Sequence, residues 1–88
     1  MLFITLARFR KKPTKQMLAE TQRLFEQITK EGGKILGVYW TLGRYDAVVL
    51  SECPDEKAHM KGTLRFADTM STESLAAITA EEASELVE

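Results

Sequence analysis

Apolar and polar positions alternate with changing period along the chain, and the changes mark its elements. Leu2-Phe3-Ile4-Thr5-Leu6-Ala7 is a run of β-formers and predicts a first strand. Met17, Leu18, Thr21, Leu24, Phe25 and Ile28 then recur at helical spacing, with Pro13 placed for the first turn. Glu31-Gly32-Gly33 predicts the stop of that helix, because glycine tolerates the left-handed conformation found just past a helix end. Residues 35–42 and 45–53 read as two more strands. Pro54-Asp55-Glu56 opens a second helix, whose apolar stripe is Met60, Leu64 and Ala67. Residues 71–78 predict a fourth strand, and Thr79 with Glu82 has the spacing of a capping box for a short last helix. The order is β-α-β-β-α-β with a terminal helix.

The central hairpin sets the register. Gly43-Arg44 fits a two-residue turn, which pairs Leu42 with Tyr45, Thr41 with Asp46, Trp40 with Ala47 and Tyr39 with Val48. Side chains alternate across a strand, so two faces follow. One holds Leu36, Val38, Trp40, Leu42, Tyr45, Ala47 and Val49 and is the natural seat for the helices. The other mixes Ile35, Tyr39, Val48 and Leu50 with Thr41, Asp46 and Glu52 at its ends, and Phe3 is expected to join it. Two helices cover only one face of a four-stranded sheet. The exposed apolar remainder marks an interaction surface, and a second copy of the same sheet is the simplest cover. The expectation is a homodimer, packed sheet to sheet.

Size strengthens that expectation. The 88 residues read as one domain spanning 1–88, and a domain this small buries only about 60% of its unfolded surface. Twelve basic residues against thirteen acidic ones leave a net charge of −1, which argues against a nucleic-acid partner. A lone cysteine excludes an intrachain disulfide framework. No apolar run approaches the roughly 20 residues of a membrane span, so no membrane partner is expected. The opening MLFITLARFRKK places its apolar stretch before its charges, the reverse of a signal peptide, and the cytoplasm is the expected location.

From Tyr39-Trp40-Thr41-Leu42-Gly43-Arg44-Tyr45-Asp46 through Ala47-Val48-Val49-Leu50-Ser51-Glu52-Cys53-Pro54-Asp55-Glu56, the chain resembles the GYD domain family. Thr72-Glu73-Ser74-Leu75 and Thr79-Ala80-Glu81-Glu82 extend the likeness. Two features depart from the family's pattern: Arg44 separates Gly43 from Tyr45, and the segment Arg8 to Gln16 is unusually basic. The resemblance implies an α+β, ferredoxin-like βαββαβ fold with an antiparallel four-stranded sheet and a short C-terminal helix, of the dimeric α/β-barrel type. That broad group includes cofactor-free oxygenases, haem-degrading enzymes, isomerases and ligand-sensing domains, and it fixes no reaction or cofactor for this chain.

Among single residues, Asp46 could orient a ligand or act as a base at the barrel mouth, or simply hold the hairpin. Glu52 shares its face, but about 20 Å of strand separates the two, so they form no acid–base pair within one chain. Tyr39 and Thr41 border the same surface, and Arg44 at the hairpin tip could hold an acidic group. Tyr39, Thr41, Arg44, Asp46 and Glu52 are thus the candidate ligand-binding set. Trp40 and Tyr45 are assigned to the helix side. His59, the only histidine, is a weak second catalytic candidate beside Asp46, placed on the flank of its helix. Cys53 precedes a helix start but lacks a partner for redox chemistry and reads as an inert thiol. No metal-ligand spacing or glycine-rich phosphate loop is present, so no metal is expected. Arg8, Arg10, Lys11, Lys12 and Lys15 form a basic stretch, and Glu81, Glu82, Glu85 and Glu88 an acidic end. The basic stretch could meet a phosphate-bearing partner or a nucleic acid, but a solvated loop, or pairing with the acidic end of its own or a neighbouring chain, is the simpler account.

The leading reading is a homodimer that binds a small organic molecule in or beside the inter-sheet barrel. The alternative is a cofactor-independent oxygenase or isomerase in which Asp46 removes a proton. An RNA-binding module, suggested by topology alone, ranks last because no basic-aromatic run accompanies it.

Overall fold

A computed structural model describes residues 1–87. In chain order the elements are β1 (Leu2–Phe9), α1 (Lys15–Lys30), β2 (Lys34–Trp40), β3 (Ala47–Glu52), α2 (Glu56–Leu64), β4 (Met70–Ala77) and α3 (Ala80–Ser84). The four strands form one antiparallel sheet ordered β2-β3-β1-β4. Two βαβ crossovers place the chain's first and last strands side by side, an α+β, ferredoxin-like arrangement. No described helix is long and apolar enough to cross a membrane.

Local chemistry explains the element ends. The Thr14 side chain caps α1 by accepting from the Met17 N–H at 3.1 Å, so Pro13 stands before the cap rather than inside the first turn. Beyond Glu31 the chain turns through Gly32 at φ +98°, a conformation that favours glycine. The Asp55 carboxylate caps α2 through the Ala58 N–H at 2.9 Å. Thr79 caps α3 by accepting from the Glu82 N–H at 3.1 Å.

The hairpin register is as expected where it matters most, with Trp40 opposite Ala47 and Tyr39 opposite Val48. The strands stop there. Thr41 to Asp46 form a loop closed by the Thr41 N–H donating to the Asp46 carbonyl at 2.9 Å, and Leu42 is fully exposed. At the other end of β2 a bulge intervenes: Ile35 pairs with Ser51, but Gly37, not Leu36, pairs with Leu50. One extra residue reverses the facing of everything before it. Ile35 therefore turns to the helix side instead of the open side. Phe3, opposite Ser51, goes with it, stacking on His59 of α2 with ring centroids 4.0 Å apart.

Successive rows run across both faces. On the face that carries the helices lie Ile35, Ser51, Phe3 and Ala76, then Val38, Val49, Thr5 and Ser74, with the edge residues Ala76, Val38 and Ser74 exposed. On the open face lie Gly37, Leu50, Ile4 and Leu75, then Tyr39, Val48, Leu6 and Glu73. The buried core is small: Phe3, Ala7, Ala47 and Phe66, with Thr5 and Ser51 as its polar members.

α1 presents the side its periodicity requires, with Leu24, Phe25 and Ile28 half-buried. α2 does not. Met60 and Leu64, the expected core stripe, are 62% and 72% exposed, and Ala67 is exposed as well. The anchor is Phe66, just past the helix end, which is buried against Phe25 at 5.4 Å. Seating that ring turns Ala58 and Gly62 inward and the longer side chains out.

Candidate functional site

The hairpin end of the open face gathers most of the expected site. Tyr39 is 55% exposed, its ring folded back over Gly37, where a Cβ would stand 2.8 Å from it. Across the sheet in the same row is Glu73, whose carboxylate accepts from the Tyr45 hydroxyl at 2.6 Å. Tyr45 therefore belongs to this side of the sheet, not to the helix side. The hydrogen bond to Glu73 favours the protonated phenol and holds Tyr45 above its ordinary range. Two guanidinium groups flank the Tyr45 ring, Arg8 at 5.4 Å and Arg44 at 6.0 Å from its centroid. The Arg8 Nε–H donates to the Arg44 carbonyl at 2.9 Å and fixes the loop against β1. Among the described residues neither arginine forms an ion pair. Leu6, Arg8, Arg44, Tyr45, Ser71 and Glu73 line a shallow hollow of about 210 Å³ there.

Thr41 and Asp46 stand at the base of this cluster. The Thr41 hydroxyl donates to the Tyr45 carbonyl at 2.6 Å. Asp46 is tied to the end of β1 twice: Oδ2 accepts from the Phe9 N–H at 2.8 Å, and its own N–H donates to the Ala7 carbonyl at 2.8 Å. Its carboxylate thus satisfies a strand-end donor and shapes the loop that carries Arg44. Glu52 lies at the far end of β3, paired with Leu2 on one side and Lys34 on the other. Arg10 serves the fold as well, with Nε–H donating to the Ala67 carbonyl at 2.8 Å. Of the acidic end, Glu88 lies outside the described residues.

His59 occupies the opposite face. Its ring stacks on Phe3 at 8° between planes, and Nε2 meets the Ser74 hydroxyl at 2.7 Å. Burial pushes this imidazole below its usual pKa, so it is neutral near pH 7. Burial likewise pushes the Cys53 thiol up, away from a thiolate nucleophile, and its Sγ donates to the Asp55 carbonyl at 3.3 Å. Among the described residues no group of three or more His, Cys, Asp or Glu is placed to hold a metal ion.

Thr41, Arg44 and Asp46 are brought together, then, while Tyr39 lies on edge strand β2, across the sheet from Glu73 and outside the hollow, and Glu52 and His59 stand apart as well. Arg8, Tyr45 and Glu73 complete the cluster; the sequence assigns Tyr45 to the helix side, places Arg8 in the basic stretch, and gives no sign of Glu73. Glu73 reaches Tyr45 only because β4 pairs with β1 at Leu6, and nothing in the hairpin sequence encodes that register.

The profile of the family described as the GYD domain matches residues 3–87. Among solved structures, TTHA0845 from Thermus thermophilus is similar at 28% sequence identity and a TM-score of 0.55. That similarity covers 90% of this chain and 94% of the other. No curated protein matches the chain.

Proposed function

The chain belongs to the GYD domain family, and from that premise we propose that it works as a sheet-to-sheet homodimer binding a small organic molecule at the rim of the paired sheets. The observation that carries this reading is the open face. Ile4, Leu6, Val48, Leu50 and Leu75 share it, whereas among the described residues the buried core on the other side contains four apolar residues. Covering several hundred Å² per chain at about 25 cal/mol per Å² contributes several kcal/mol before the entropy of association is subtracted. For so small a domain that is comparable to its whole stability.

Pairing the sheets would also wall in the hairpin end, where Tyr39 and Tyr45 offer planar surfaces and Arg8 and Arg44 offer cationic donors. Thr41 and Asp46 fix the loop that carries Arg44. An organic acid with a flat apolar body matches that rim, since guanidinium groups pair with carboxylates in bidentate fashion. Glu52 closes the opposite end beside Lys34. A cytoplasmic setting belongs to the same reading, because a single unpaired thiol such as Cys53 persists in a reducing compartment.

Sedimentation equilibrium across the micromolar range tests the dimer, with twice the 9.9 kDa chain mass expected. A monomer throughout removes the basis of the proposal. Thermal-shift measurements with planar carboxylic acids test the rim, and Arg44→Ala is expected to abolish any stabilisation they produce.

A further inference from the structure

α2 lies on the sheet with its larger apolar side chains outward, and the consequence is space beneath it. Ala58 and Gly62 face the sheet where Thr5, Ala7, Ser51 and Thr72 are small, with the larger Ile35, Val49 and Met70 around them. Small against small leaves a cleft of about 70 Å³, closed at its far wall by Phe25 and Ile28. One water needs about 10–15 Å³, and a dry cavity of about 150 Å³ accepts benzene. The cleft is therefore too large for a packing defect of one water; at about half the volume that encloses benzene, and open on one side, it takes in the apolar end of a small molecule without enclosing it. A domain with so little core gives up stability by leaving it open.

Its polar groups point to the same use. Thr5 and Ser51 are only 7% and 9% exposed, and both line the cleft. Their hydroxyls form none of the side-chain hydrogen bonds found among the described residues. No sealed side-chain oxygen is left unpaired either, so these two open onto the cleft. No lysine or arginine lines the cleft. An anion entering would lose its hydration without a counter-charge.

We infer that the cleft between α2 and the sheet binds a small uncharged molecule with an apolar body and one hydroxyl, of the phenol or alcohol class. Its apolar part fills the void against Phe25 and Ile28, and its hydroxyl pairs with Thr5 or Ser51. His59 forms one side of the cleft and is itself satisfied by Ser74, so it acts as wall rather than as base. This site is distinct from the arginine-bearing rim and does not depend on the sheets pairing.

Phenol and benzoate, the same ring without and with a charge, make the test. The isotope-labelled full chain is titrated with each while backbone amide signals are followed, and the mass of the same samples is measured by sedimentation. Phenol is expected to shift Ser51, Gly62 and Thr72 saturably, with Kd of about millimolar, and benzoate is not. Ala58→Leu projects a side chain into the cleft and is expected to weaken phenol at least about tenfold. Gly62→Ala, whose added Cβ would stand 3.5 Å from Ile28 Cδ1 in ordinary contact, keeps the helix and weakens phenol less. Absence of saturation, shifts confined to Arg44 and Tyr45, equal binding of benzoate in the cleft, or unchanged affinity in both variants overturns the inference. The sedimentation result reports on the dimer separately, so neither failure can be mistaken for the other.

Discussion

β1 sends Leu2, Ile4 and Leu6 to one face of the sheet and Phe3, Thr5 and Ala7 to the other. The second set lies under the helices, yet the first is the more apolar. The same inversion holds on β3 and β4, where Leu50 and Leu75 are open and Val49 and Ser74 lie on the helix side, whereas β2 keeps Ile35 and Val38 on the helix side and Gly37 on the open one. A monomeric domain gains most by covering its most apolar face, since stabilisation scales with the apolar area removed from water. Here the helices cover the leaner side and leave the richer one. The arrangement makes sense when the richer face has its own cover, and when the leaner one keeps room for something other than packing.

Adjacent residues on opposite faces give the sharpest ways to break that comparison. Phe3→Ala removes a buried ring from the covered side and is expected to cost about 3–4 kcal/mol in urea unfolding, with assembly unchanged. If Phe3 helped join two chains, the loss would appear instead as dissociation. Leu50→Asp places a carboxylate in the middle of the open face, and a shift from dimer to monomer in sedimentation is expected. Its chain neighbour Ser51→Ala, on the covered face, removes a hydroxyl that makes no side-chain hydrogen bond among the described residues and should change stability by less than about 1 kcal/mol. A monomeric wild type, or a Leu50→Asp protein that stays dimeric, breaks the comparison outright.

The parts legible in the sequence are those governed by short-range rules. Period and turn chemistry place all seven elements, and the Gly43-Arg44 turn yields the Trp40–Ala47 and Tyr39–Val48 pairs. The illegible parts depend on residues distant in the chain. Leu36 is an ordinary strand residue until Ser51 and Leu50 are seen to pair around it, so the bulge and the facing of Ile35 leave no local trace. Met60 and Leu64 look like a core stripe because helical periodicity cannot show that Phe66, past the helix end, competes for the same partner, Phe25. Tyr45 is misplaced for a third reason. Alternation puts it at the start of a strand, but Asp46 is held by Ala7 and Phe9, and regular pairing begins only after it.

Asp46 accordingly sits where the two faces meet, and its removal has an intermediate effect. Asp46→Ala leaves the part-buried Phe9 N–H without its acceptor and is expected to cost about 1–2 kcal/mol. The loop carrying Arg44 and Tyr45 should loosen with it, visible as faster hydrogen exchange at the Thr41 and Phe9 amides. Asp46→Asn retains an acceptor oxygen and should recover most of the loss. Equal destabilisation by both variants would mean that charge at this position, rather than the hydrogen bond, holds the hairpin to β1.

The smallest effect expected concerns pH and the covered face alone. Burial depresses the His59 pKa below its ordinary value of 6.5, so between the folded and unfolded values the unfolded chain binds more protons. Stability from the neutral ring is then fully present above pH 6.5 and is lost as pH falls through that value toward the lower folded one. No other side chain in the molecule ordinarily titrates in this window. The urea midpoint should therefore be lower at pH 5.5 than at 7.5, and His59→Gln, which can still pair with Ser74, should flatten that difference. A variant whose midpoint falls just as far at pH 5.5 would place the titrating group elsewhere. It would also mean that the ring stacked on Phe3 is open to water, and the two faces would then differ less in their burial than in their residues.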